Sequence, residues 1–152
     1  MSFDVTTGLT VMSIKSLNPY LNFDGTAAQA IKLYERVLGA NVQTLQRFSD
    51  IPGNKPAPEH ANRVIHARLA IGEATIMVSD CQPGMPFTTE GNIHLTLDFD
   101  DLKDATARFD ALASGGKVTM PLADTFWGAT FGMLTDAYGI RWMFNCNKGG
   151  PS

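Results

Sequence analysis

At 152 residues, with 44% hydrophobic and 18% charged side chains, the chain has the balance of an ordinary globular protein, with room for one sizeable domain or two small modules sharing a core. A formal net charge of −3 and the lack of any basic block speak against nucleic acid or an anionic membrane as a partner. The 2 cysteines, Cys81 and Cys146, stand far apart with no C-x-x-C spacing, which argues for a reducing, cytoplasmic setting over a disulfide framework or a zinc cluster.

In chain order, "MSFDVTTGLTVMSI" (1–14) has no Lys or Arg ahead of Lys15, so it lacks the charged start of a signal peptide and reads as a loose extension. No apolar run approaches the length of a membrane span. A strand around 20–23 leads into the first helix, where Ala27, Ala30, Ile31, Tyr34, Val37 and Leu38 recur at helical spacing. Thr26 with Gln29 reads as a capping box, and Gly39 as the left-handed stop. Residues 41–48, 62–71 and 74–79 read as strands, separated by the proline-rich loop 49–61 and a turn at Gly72. The loop 81–91, following Asp80, is the natural module boundary. Beyond it the spacing predicts strands at 92–99, 117–122, 127–134 and 140–146, with a helix capped by Asp100 or Asp101 and striped by Leu102, Ala105, Phe109 and Leu112.

The chain is written twice. Laying 21–42 over 97–118 pairs Leu21 with Leu97, Phe23 with Phe99, Asp24 with Asp100, Gly39 with Gly115 and Val42 with Val118, without a gap. The order is therefore β-α-β-β-β in each of two modules, 15–80 and 92–147, with a tail at 148–152. Such an order suits an α+β protein whose curved mixed sheets surround a shared cleft.

The stretch "DTFWGATFGMLTDAYGIRWMF" (124–144) holds both tryptophans. Alternation places Trp127, Ala129, Phe131 and Met133 on one face, with Gly128, Thr130, Gly132 and Leu134 on the other. Beyond the D-A-Y-G turn, Ile140, Trp142, Phe144 and Cys146 share a face. The glycine face is expected to be open, since a strand glycine often marks a close approach. Of the histidines, His60 reads as solvated, while His66 and His94 fall in strands, where a lone histidine is ordinarily a hydrogen-bonded structural residue. No H-x-x-x-H or H-E-x-x-H spacing is present, and no glycine loop for a dinucleotide or S-adenosylmethionine. Ser79, Asp80 and Cys81 adjoin without a histidine to activate a nucleophile.

On these residues the chain resembles the vicinal oxygen chelate superfamily, which includes glyoxalase I, bleomycin-resistance proteins and extradiol dioxygenases. "NPYLNFDGTAAQAIKLYERVLGA", "HARLAIGEATIMVSD" and the pattern Trp127-Gly128, Asp136, Gly139, Trp142 are similar to its PhnB-like branch. The resemblance implies a homodimer in which one subunit completes the sheets of the other. It also implies metal ligands on the first and last strands of each module. Carried across, those positions hold Asn18, Met77, His94 and Met143, so His94 is the one credible ligand and no acid-base glutamate is present. A methyltransferase activity, a label given to this branch, has no cofactor loop to support it.

The expectation is a small-molecule-binding protein without the usual metal site and with no cofactor. Its ligand would be planar or apolar, in a pocket of His94, Trp127, Phe131, Trp142, Phe87 and His66. The alternatives are a divergent metal-dependent lyase, isomerase or dioxygenase-type enzyme around His94, with His66 as a base, and a dimeric partner-binding protein with a vestigial pocket.

Overall fold

The structure, a computed structural model, describes residues 17–53, 55–88, 91, 93–125 and 128–147. The extension, the tail and Trp127 lie outside the described residues. The first module runs β1 (Tyr20–Phe23), α1 (Ala27–Leu38), β2 (Asn41–Arg47), β3 (Val64–Ile71) and β4 (Ala74–Asp80). The second runs β5 (Leu95–Phe99), α2 (Leu102–Ala113), β6 (Lys117–Asp124), β7 (Ala129–Thr135) and β8 (Arg141–Asn147). Each module forms a four-stranded mixed sheet, ordered β1-β4-β3-β2 and β5-β8-β7-β6. The first strand of each lies parallel to the last, and the other pairs are antiparallel. This is the duplicated α+β architecture that the repeat predicts.

Each helix lies on its own sheet, and the two helices meet. Leu21, Phe23, Ile31, Leu69 and Val78 of the first module and Phe109, Leu112, Leu134, Trp142 and Phe144 of the second belong to one buried cluster. The modules therefore share a core. The opposite face of each sheet carries half-buried and exposed residues, the mark of a sheet packed on one side.

Helix α1 ends at Gly39, whose φ of 67° is left-handed and whose N–H returns to the Tyr34 carbonyl. Its start differs from the capping-box expectation, for Thr26 makes no side-chain cap bond. Asp80, at the end of β4, does the work instead. Its Oδ1 accepts from Gly25 N at 2.7 Å and Ala27 N at 3.0 Å, and its Oδ2 from Val64 N at 2.9 Å. A buried carboxylate beside the positive end of the helix outcompetes a hydroxyl for the same donors. Helix α2 caps itself through Asp101, which accepts from Lys103 N.

Candidate functional site

The two first strands, β1 and β5, each form an outer edge of their sheet. A groove of about 350 Å³ lies between them, closed at one end by the turn joining β7 to β8. Leu21, Leu95, Tyr138 and Ile140 supply apolar walls, with Phe87 from the inter-module loop. Tyr20, Asn22 and Arg141 supply the polar groups.

The turn is built around Asp136, which is only 3% exposed. Its Oδ1 accepts from Tyr138 N (2.8 Å) and Ile140 N (3.1 Å), fixing the loop that carries the groove wall. Its Oδ2 accepts from Trp142 Nε1 (2.9 Å) and from Tyr34 Oη of the first module (2.7 Å). Burial, then the charge of Asp136 and its hydrogen bond, hold the Tyr34 phenol well above its ordinary pKa.

Phe87 lines the groove. Trp142 does not. It is 1% exposed, packs edge-on against Tyr34 with ring centroids 5.5 Å apart, and belongs to the core with Phe144 and Cys146. The physical reason is the hydrogen bond to Asp136, which satisfies the indole N–H away from water. Phe131 and Met133 are half-buried on the open face of the second sheet, opposite the expected arrangement. The glycine face is the one turned inward. An added Cβ at Gly132 would stand 3.0 Å from the Phe109 ring and equally close to Met120 O and Leu122 N. The close approach signalled by that glycine is the α2 aromatic and the irregular edge of β6, not a ligand.

His94 sits just before β5, which begins at Leu95, and the groove is lined by its neighbours Ile93 and Leu95. His66 lies on the other sheet, with Nδ1 3.3 Å from Tyr20 Oη. The structure thus brings His66 to a groove residue but keeps it in a different module from His94. At the end of β4, partial burial and contact with Asp24 hold the Cys81 thiol above its ordinary range, so at neutral pH it is a thiol rather than a nucleophilic thiolate.

Sequence reasoning missed Tyr20, Asn22, Tyr138 and Arg141. Tyr20 and Asn22 lie in β1, Tyr138 in the turn and Arg141 at the start of β8, and only the cross-module placement of the two edges joins them. The D-A-Y-G turn was the available signal for Tyr138.

The metal positions implied by the resemblance can be tested on the donors. Met77 pairs with Tyr20 and Met143 with Thr96, so both last-strand positions carry thioethers, and Thr96 Oγ1 directs its weak contact at Met143 Sδ (3.8 Å). Among the described residues no three His, Cys, Asp or Glu side chains group as a metal site. Two thioethers, an amide and one imidazole do not fit a hard divalent cation.

Two curved β-α-β-β-β sheets around a cleft between their first strands define a glyoxalase-like fold. The family model of the Glyoxalase/Bleomycin resistance protein/Dioxygenase superfamily matches residues 16–144, and the chain belongs to that superfamily. Protein YjdN of Escherichia coli is 34% identical over 147 residues, covering 90% of this chain and 98% of its own. The crystal structure of protein PA1353 from Pseudomonas aeruginosa superposes with a TM-score of 0.79 at 38% identity, over 88% of this chain and 98% of that one. A PhnB protein from Bacillus cereus shares the fold, with a TM-score of 0.71 at 24% identity over 87% of this chain and 99% of its own. No helix among the described residues is long and apolar enough to cross a membrane.

Proposed function

We propose that this protein binds a small, planar or largely apolar molecule in the groove between β1 and β5, without a metal ion. The observation that carries this reading is the groove itself. Its volume of about 350 Å³ falls within the range of small-molecule sites, and its walls are mostly apolar with a few polar groups among them. Phe87, Tyr20 and Tyr138 offer rings for stacking, and Asn22 and Tyr20 offer hydrogen bonds that orient a substituent. The donor set at the superfamily's metal positions supports sequestration over metal-assisted chemistry.

The same reading includes a homodimer. Val118 and Met120, on the outer strand of the second sheet, are 42% and 43% exposed, and Ile93 beside the groove is 74% exposed. Apolar side chains in such positions suit burial against a second copy. Light scattering on the eluting peak should give twice the chain mass.

The binding test is a calorimetric titration with 2-naphthylmethanol before and after chelator treatment. Binding is expected to be unchanged by chelator and weakened about fivefold or more in Phe87→Ala, the scale of losing one aromatic contact. Titration with zinc, nickel and manganese should show no stoichiometric uptake that His94→Ala removes. Probe binding that needs added metal, or one metal per chain lost in His94→Ala, would put the enzyme alternative in its place.

A further inference from the structure

The open face of the first sheet has a charge pattern that the groove alone does not explain. Register places Tyr20, Met77, Arg68 and Thr44 in one row across β1, β4, β3 and β2. Asn22 stands opposite Ser79 on β4, and His66 opposite Gln46 on β2. Burial alternates along β3, with Ala67 and Leu69 turned into the core and His66 and Arg68 half-buried on the other side. The face thus sets hydroxyls, amides, one imidazole and one guanidinium around the apolar Met77.

Among the described residues no carboxylate answers that guanidinium. Across the four strands of this sheet the one acidic residue is Asp80, which is buried and committed to the start of α1. Two other arginines of the module are engaged within it: Arg63 pairs with Asp24 at 2.6 Å, and Arg47 donates to the Asn62 carbonyl at 3.1 Å. The Arg68 side chain has no hydrogen bond or ion pair with any described residue. A half-buried arginine at the centre of a sheet face, with hydroxyl and amide donors around it and no acid, is complementary to an anion. Its planar fork matches the paired oxygens of a carboxylate or phosphate.

The array also connects to the groove. Tyr20 and Asn22 belong to both, and Tyr20 Oη already reaches His66. Two strand spacings of about 4.8 Å separate β1 from β3, so about 10 Å of sheet lies between the groove and Arg68, with the apolar Met77 between them. A bicyclic body in the groove would carry an acidic substituent within reach of the arginine side chain.

We propose that the open face of the first sheet, through Arg68 with Tyr20 and His66, recognises the acidic head of the molecule whose apolar body occupies the β1–β5 groove. The ligand class is accordingly an aromatic or other apolar acid carrying a carboxylate or phosphate. This rests on the groove reading and narrows it.

The test is a matched series titrated into the full chain: 2-naphthoate, its neutral counterpart 2-naphthylmethanol, and 2-naphthyl phosphate, against wild type, Arg68→Met and Arg68→Lys. Circular dichroism and melting temperature confirm that each variant folds, as the half-buried setting of residue 68 on the open face allows. In wild type the acid is expected to bind about tenfold more tightly than the alcohol, the scale of one charge-assisted contact. That preference should vanish in Arg68→Met, survive in part in Arg68→Lys and shrink with added salt. Whichever of naphthoate and naphthyl phosphate binds more tightly identifies the head group. Equal binding of acid and alcohol to wild type would overturn the anion site and leave the groove standing. An acid preference that persists in Arg68→Met would overturn it too, by locating the charge elsewhere. If none of the three probes binds wild type, the groove reading and the anion site fall together.

Discussion

Asp136 accepts four hydrogen bonds, two from backbone N–H groups of its own turn and two from the buried Tyr34 and Trp142 side chains. Removing it leaves a phenol and an indole N–H without partners in a dry environment, each costing about 1–3 kcal/mol. Asp136→Ala should therefore lower stability by about 3–5 kcal/mol in urea unfolding. Tyr34→Phe removes one bond and should cost about 1–2 kcal/mol. Because the two share a contact, the double variant should lose less than the sum. The same pair predicts an alkaline response. Tyr34 is protonated in the fold to a higher pH than in the unfolded chain, whose phenol titrates near 10.0. Above that value the unfolded state binds fewer protons, so stability falls as pH rises through the raised folded pKa. Wild type should lose stability above about pH 10 more steeply than Tyr34→Phe, which lacks the group. Parallel slopes would mean that the phenol ionises alike in both states.

The start of α1 shows what a strand end can do for a helix. Asp80→Ala frees three backbone donors that the carboxylate now satisfies and should cost about 2–4 kcal/mol. Thr26→Ala, at the position favoured by the local sequence, should stay within about 0.5 kcal/mol of wild type. The reverse ranking would restore the local capping box. Gly132→Ala belongs with these element-scale tests, since its Cβ meets both the Phe109 ring and the β6 backbone. Crowding there should cost about 1–3 kcal/mol. These three positions also mark where sequence reading stops. Helical spacing locates both helices, and the repeat gives the strand order, because each rests on local periodicity. The Asp80 cap joins residues 55 and 53 apart in the chain, and no local pattern records that. Trp142 was legible as half of an aromatic face but not as a core residue, because the Asp136 bond that settles it closes around a turn. Arg68 and Tyr20 were invisible as a pair, since only the pairing of β1, β4 and β3 puts them in one row. An inventory of acids by strand would have exposed the unanswered cation on β3.

At the scale of the molecule, the polar contacts that cross between modules are few, and that of Tyr34 is buried. Tyr34 of α1 bonds Asp136 and packs against Trp142, and Arg108 of α2 donates to the Val37 carbonyl at the end of α1 at 2.7 Å. Neither module can keep these groups satisfied alone: without the second, Tyr34 loses its acceptor, and without the first, Trp142 loses the ring that covers it. The cost of separation is thus carried in the core and not in a rim of exposed ion pairs. The two modules should consequently unfold as one cooperative unit, despite their duplicated design. Both tryptophans lie in the second half of the chain, so their fluorescence reports that module, while far-UV circular dichroism reports the helices and strands of both. The two urea transitions should coincide in midpoint and slope, and Tyr34→Phe, a change in the first module, should shift both midpoints together. A fluorescence transition that separates from the dichroism would show that the second module holds its core without the first. In that event the groove between β1 and β5 would be a seam between independent units, able to open for a ligand by module separation instead of being preformed.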